Sequence, residues 1–168
     1  MNPESKFVVN PLEKYFLDPR RSGAKWIIKY KPKFESSATG WDLQVERKNQ
    51  VLLFEAKYIR GPFASAMAGL VIAPLTNKTE KMKSGKKKSW SSVICWAIGS
   101  SYRNNAVYQI LLDYLARNSE FWECYSKILK VKYIYFVENQ RVAKISFNKI
   151  INFATGYKSS LSKSFHER

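Results

Sequence analysis

The sequence predicts an α/β fold, and three patterns carry that expectation. Residues 41–46 alternate apolar Trp41, Leu43 and Val45 with polar Asp42, Gln44 and Glu46, the period-two signature of a half-buried strand. Residues 51–58 are apolar except for Glu55 and Lys57, as in a central strand covered on both faces. From Val107 the apolar positions Ile110, Leu111, Tyr114, Leu115, Phe121, Trp122, Tyr125, Ile128 and Leu129 keep a three-and-four spacing. That spacing marks one long helix, or two that abut near Asn118 and Ser119.

The remaining elements follow in chain order. Asn10, Pro11 and Glu13 supply a cap residue, a proline at the first helical position and an acid in the first turn, so a helix should start there. Asp18-Pro19 should stop it. Residues 26–30 read as a strand, and residues 20–33 around them hold six basic residues and no acid. Residues 47–50 form a polar turn. Residues 63–73, rich in small side chains, read as a short helix limited by Pro74, with an extended reading also open. Residues 78–88 contain six lysines and one glutamate around Ser84-Gly85 and read as a mobile surface loop. Residues 93–98 make another buried strand, and residues 131–137 and 142–147 a hairpin about Asn139-Gln140. No repeat or linker interrupts the chain, so residues 1–154 read as a single domain and 155–168 as a basic Ser/Lys-rich tail.

A chain of 168 residues that is 45% hydrophobic and 15% aromatic can build a substantial core. Its 29 Lys and Arg against 13 Asp and Glu give a formal charge of +16, which favours a polyanionic partner. Nucleic acid ranks first, ahead of a basic protein with no such partner and of an anionic membrane surface. The single histidine, His166, lies in the polar tail, which argues against histidine-based catalysis. Cys95 and Cys124 have no second thiol near either, fitting neither a zinc knuckle nor a disulfide framework, and read as reduced, buried thiols. Residues 1–10 lack an apolar signal-peptide core, and no run reaches membrane-spanning length, so a soluble, cytoplasmic protein is expected.

Three acid-x-Lys triplets occur: Glu4-Ser5-Lys6, Glu46-Arg47-Lys48 and Glu55-Ala56-Lys57. The first lies at a terminus expected to fray and the second enters a polar turn. The third sets two charges inside an apolar run, where they are costly unless paired or functional. A hairpin turning at residues 47–50 pairs Glu46 with Val51 and, counting outwards, Asp42 with Glu55. Facing carboxylates destabilise a sheet unless something positive sits between them. Lys57 points to the same face and could neutralise one charge, leaving a salt bridge of Lys57 to Glu55 or Asp42 as the structural alternative. A divalent cation held by both carboxylates explains the pair better, and oxygen ligands suit Mg²⁺. A one-residue register slip would separate the two acids.

At these residues the sequence resembles the PD-(D/E)XK nuclease superfamily, which includes many type II restriction endonucleases and Holliday-junction resolvases. The likeness rests on Gly40-Trp41-Asp42-Leu43, a short hairpin, and Leu52-Leu53-Phe54-Glu55-Ala56-Lys57, with Trp41 where the family usually has proline. The resemblance implies a restriction-endonuclease-like mixed sheet of four to five strands flanked by helices. It implies that Asp42, Glu55 and the Ala56 carbonyl hold Mg²⁺, with Mn²⁺ as a substitute, and that Lys57 stands beside the attacking water. It also nominates Glu13 as an acid on the first helix close to the metal, the alternative being ordinary capping.

The expected function is therefore a metal-dependent DNA endonuclease, most like a small restriction enzyme acting as a homodimer on double-stranded or branched DNA. A junction resolvase, a homing or repair nuclease, and a non-catalytic nucleic-acid-binding module are the alternatives. Phosphate contacts are expected from Lys29, Lys31, Lys33, Lys83, Lys86, Lys87 and Lys88. Arg103, with Asn104 and Asn105, has the donors and acceptors for base contacts, although either asparagine is also a good helix cap.

Overall fold

Leu52, Phe54, Ala56 and Tyr58 alternate along the chain with Leu53, Glu55, Lys57 and Ile59, and this run forms a strand covered from both sides. The computed structural model describes residues 2–30, 41–60, 68–85, 92–100, 106–118, 120–121, 124 and 130–149. Six strands form one sheet in chain order: β1 (Ile27–Tyr30), β2 (Leu43–Arg47), β3 (Gln50–Ile59), β4 (Ser92–Ser100), β5 (Val131–Glu138) and β6 (Arg141–Ser146). Strands β3, β4 and β5 are mutually parallel, and the other neighbours pair antiparallel. The class is α/β with a mixed sheet, as expected. Among the described residues the strands number six rather than four or five, because β1 pairs with β2 at one edge and the terminal hairpin adds both its strands at the other.

Parallel neighbours need crossovers, and helices α3 (Ala68–Gly85) and α4 (Ala106–Arg117) lie in the two connections. Both cover one face. There Ala68, Val71, Ile72, Leu75 and Leu111 bury Leu53, Ile94, Trp96, Ile98 and Ile134. Helix α1 (Asn10–Leu17) covers the opposite face, where Leu12 and Phe16 meet Leu43, Val45, Phe54, Cys95 and Tyr135. Phe16 packs its ring against Trp26, Phe54 and Tyr135 at centroid distances of 5.3 to 5.7 Å. Burying such a ring stabilises the fold by roughly 2–3 kcal/mol. A four-residue turn of helix, α2 (Pro19–Ser22), follows, capped by the Asp18 side chain. Asp18 is extended, so the expected stop at Asp18-Pro19 is present.

The first helix does not start at Asn10. Asn10 has helical angles, and the chain is already helical from Pro3. The cap is Asn2, whose Oδ1 accepts the Glu4 N–H at 2.8 Å while its carbonyl accepts the Lys6 N–H at 3.0 Å. The chain thus carries two Asn-Pro signals, and the first wins. Pro11 stays inside the helical rod because the turn before it is π-helical, Ser5–Val9, with the Asn10 N–H reaching back to the Ser5 carbonyl. A wider turn there relieves the clash that a proline ring makes with the carbonyl four residues back.

The two sequence readings around Pro74 are also corrected. A single helix runs through that proline and absorbs residues 78–85 of the expected loop. Pro74 and Leu70, the residue four back, both face solvent, where a helix bends and its carbonyls turn to water most easily. Lys83 falls on the end of this helix, whereas residues 61–67 and Lys86, Lys87 and Lys88 lie outside the described residues. So do Lys31, Lys33, Arg103 and residues 151–168. Cys95 is buried, as expected, but Cys124 is exposed. The helix that begins near Val107 ends at Arg117 with a turn at Asn118, beyond which residues 120, 121 and 124 are again helical.

The hairpin at Asn139 and Gln140 is as read, and both residues take positive φ, 43° and 69°, as a two-residue turn between twisted strands requires. Among the described residues no helix is long and apolar enough to cross a membrane.

Candidate active site

The β2–β3 hairpin sets the geometry. Its two-residue turn at Lys48 and Asn49 places Arg47 opposite Gln50, Glu46 opposite Val51 and Leu43 opposite Phe54. The ladder ends at that pair, and Asp42, the residue before β2, is brought beside Glu55 by bonds of its own. The Asp42 N–H donates to the Phe54 carbonyl at 2.8 Å, and its Oδ2 accepts the Ala56 N–H at 2.8 Å. The backbone of β3 therefore holds Asp42 on both sides of Glu55, at its N–H by Phe54 and at its carboxylate by Ala56.

Glu55 is fully buried, at 0% exposure. Its register neighbour on β4 is Trp96, also fully buried. The Trp96 indole N–H donates to Thr79 Oγ1 at 2.9 Å, which pins α3 over this part of the sheet. An ionised carboxylate in such surroundings is destabilised by several kcal/mol unless compensated.

The compensating charge comes from α3. Lys78 Nζ lies 2.7 Å from Glu55 Oε2, and 3.1 Å and 3.2 Å from Asp42 Oδ2 and Oδ1. The cation expected between the two acids is thus, among the described residues, a lysine of α3, on a segment whose composition predicts a surface loop. Neither Glu55 oxygen has a hydrogen-bond partner of good geometry among the described residues, and Oε2 meets Lys78 as an ion pair. Burial and the Asp42 charge push the Glu55 carboxyl up to about 8, against the opposing pull of Lys78. Burial opposes the charge on Lys78, but its contacts with Glu55 and Asp42 outweigh this and hold the ammonium above the ordinary lysine range.

Lys57 is half-buried on the same strand, two residues beyond Glu55 and therefore on the same face. A further acid reaches this neighbourhood from the N-terminal helix. Glu4 has its carboxyl raised by burial, with Lys57 and Lys78 opposing that rise and Asp42 adding to it. Glu13, the acid nominated from the sequence, stands nine residues further along the same helical rod, about 13 Å by helical rise. The sequence signal for Glu4 is Asn2-Pro3, a cap-and-proline pair like Asn10-Pro11. The signal for Lys78 was the spacing of Ala68, Val71, Ile72, Leu75 and Thr79, which continues across Pro74 and carries the helix to the site.

Of the residues expected to bind phosphate, Lys29 is exposed on β1, 3.9 Å from Glu46 Oε2. Gln44 Nε2 donates to Glu46 Oε1 at 3.2 Å, so these two polar residues tie β2 to itself rather than joining Asp42. Among the described residues no three His, Cys, Asp or Glu side chains group closely enough to hold a metal together. Asp42 and Glu55 supply two hard oxygen donors, and the Ala56 carbonyl is the third candidate. A buried, unpartnered carboxylate oxygen beside a bridged one fits a site that takes more positive charge than Lys78 provides.

The chain matches no protein-family model, no curated protein and no solved structure with which it was compared.

Proposed function

We propose that this chain is a Mg²⁺-dependent DNA endonuclease, with Mn²⁺ as a substitute, and a member of the PD-(D/E)XK superfamily. The observation that carries the reading is the convergence of Asp42 and fully buried Glu55 on a single cation position. A sheet gains nothing in stability from two neighbouring carboxylates, one of them walled off from water, so chemistry is the better reason for them.

In this reading Asp42, Glu55 and the Ala56 carbonyl hold the divalent cation. When bound, the cation acidifies a water and screens the charge that develops on the phosphate. Lys57 orients that water or stabilises the additional negative charge. Glu4 joins the acidic cluster from the helix, with Glu13 as the alternative. The excess of lysine and arginine, Lys29 and Lys83 among them, draws in double-stranded or branched DNA through phosphate attraction that weakens steeply with salt. One site per chain cuts one strand, so a homodimer acts on duplex DNA, most like a small type II restriction endonuclease in the cytoplasm.

A second reading has one specific observation in its favour. Lys78 already bridges Asp42 and Glu55, so the three side chains can serve as a structural ion cluster in a non-catalytic nucleic-acid-binding module.

Incubation of the wild type and Glu55→Ala with linear duplex, supercoiled plasmid and a four-way junction, each with Mg²⁺ and with EDTA, separates the readings. The nuclease reading expects metal-dependent cutting that the substitution abolishes. Discrete fragments of linear duplex mark a restriction enzyme, and selective resolution of junctions marks a resolvase. Salt-sensitive binding by both proteins with no cutting of any substrate supports the binding module instead.

A further inference from the structure

Lys78 occupies the position that a metal ion would need. Its ammonium touches Glu55 Oε2 and both oxygens of Asp42 within 3.2 Å, while its side chain remains 43% exposed. The backbone beneath it is fixed: Leu75 is buried one turn before, and the next residue, Thr79, is fully buried and bonded to Trp96. The stem is flexible and one side of the head group is open to water, so the ammonium can leave without the helix moving. A divalent ion and the ammonium compete for this cradle. The ammonium already contacts three of the four carboxylate oxygens that a divalent ion would use at about 2.1 Å, and the two positive charges repel strongly at that range.

We infer that Lys78 is a tethered counter-ion that competes with the divalent cation for the oxygens of Asp42 and Glu55, so that metal entry requires the Lys78 head group to swing out. The inference rests on the reading that these two carboxylates take a divalent cation. It assigns Lys78 a positioning role. The ammonium keeps the buried pair compensated in the metal-free protein and sets how tightly the site loads.

The test is direct metal binding, read by the electron paramagnetic resonance of free Mn²⁺ titrated into metal-free wild type, Lys78→Met and Lys78→Arg. Lys78→Met, which removes the competing charge but keeps the stem, should bind Mn²⁺ roughly tenfold or more tightly than wild type, and Lys78→Arg should show no such gain. Equal or weaker binding by Lys78→Met, when wild type binds Mn²⁺ in a manner abolished by Glu55→Gln, overturns the inference and leaves the metal reading standing. Absence of binding by wild type and Lys78→Met alike overturns both. A measurement on the wild type alone guards against misfolding of the variant. The Lys78 ammonium resonance should be protected from solvent exchange without metal and lose that protection as Mg²⁺ is added, whereas protection that persists at saturating Mg²⁺ overturns the inference.

Discussion

Glu55 Oε2 and Lys78 Nζ lie 2.7 Å apart although the two residues are separated by a strand end and half a helix. The contact joins the centre of the sheet to α3 at its most buried charge. What holds it there is apolar: Trp96 beside Glu55 on β4, and the stripe of Val71, Ile72 and Leu75 that seats the helix. Fold and site are therefore coupled, and several measurable consequences follow from the coupling.

The metal-free protein should lose stability as pH rises from about 4.5 to about 8. Glu55 is raised to about 8 in the fold, so between the unfolded value and that point the native state binds more protons than the unfolded state, and the slope of stability against pH is negative. Burial of Glu4 adds to the slope with the same sign. Glu55→Gln cannot ionise and should flatten most of this dependence, gaining a few kcal/mol (~2–4) over wild type at pH 8. Urea unfolding in EDTA across pH 5 to 9 reads it, and parallel profiles for the two proteins would contradict it.

Lys57→Met should lower cleavage by about 100-fold or more, the usual worth of a group that handles a proton or charge in the transition state. Mn²⁺ affinity should change little, because Lys57 is placed beside the cation rather than as its ligand. Single-turnover cleavage and metal titration on the same samples check both halves. A loss confined to metal binding would remove Lys57 from the chemistry.

Glu4→Gln should reduce cleavage more than Glu13→Gln does, by about tenfold, since Glu4 exchanges charge interactions with Asp42, Lys57 and Lys78. Rates at saturating metal for the two variants decide this. A larger effect from Glu13→Gln would restore Glu13 as the helical acid of the site.

Gly99 is where the N-terminal helix crosses the sheet. A methyl group there would come 2.5 Å from Val8 Cγ2 and 3.3 Å from the Phe7 carbonyl oxygen. Gly99→Ala should cost about 1–3 kcal/mol. Shortening Val8 opens room for the new methyl, so Gly99→Ala with Val8→Ala should be less destabilised than the two single costs summed. Chemical denaturation of the four proteins gives the coupling, and strict additivity would contradict the contact.

Most of the fold was legible because local patterns agreed with tertiary needs. The alternation at 41–46, the apolar run at 51–58 and the polar turn between them set the β2–β3 register from Leu43–Phe54 to Arg47–Gln50, since a slip of one residue would have turned Leu43, Val45, Leu52 and Phe54 away from their core. The errors cluster at prolines. Pro11 and Pro74 ordinarily mark a helix start and a helix limit, but a π-helical turn upstream of one and a solvent-facing position for the other let both stay inside helices. Those two prolines mask Glu4 and Lys78 in the sequence, the charges that approach the site from outside the hairpin. Composition alone could not find them, because one acid among terminal residues and one lysine among six carry no spacing of their own.

The most direct measurement is cleavage and binding of duplex DNA by wild type and Asp42→Ala, followed in the same Mg²⁺ titration and across a range of salt. Cutting that appears with Mg²⁺ in wild type, vanishes in Asp42→Ala and leaves salt-sensitive binding intact is the result predicted. Equal or tighter binding by Asp42→Ala, with no cutting by either protein at any Mg²⁺ concentration, would contradict it and make the Asp42, Glu55 and Lys78 cluster a structural one.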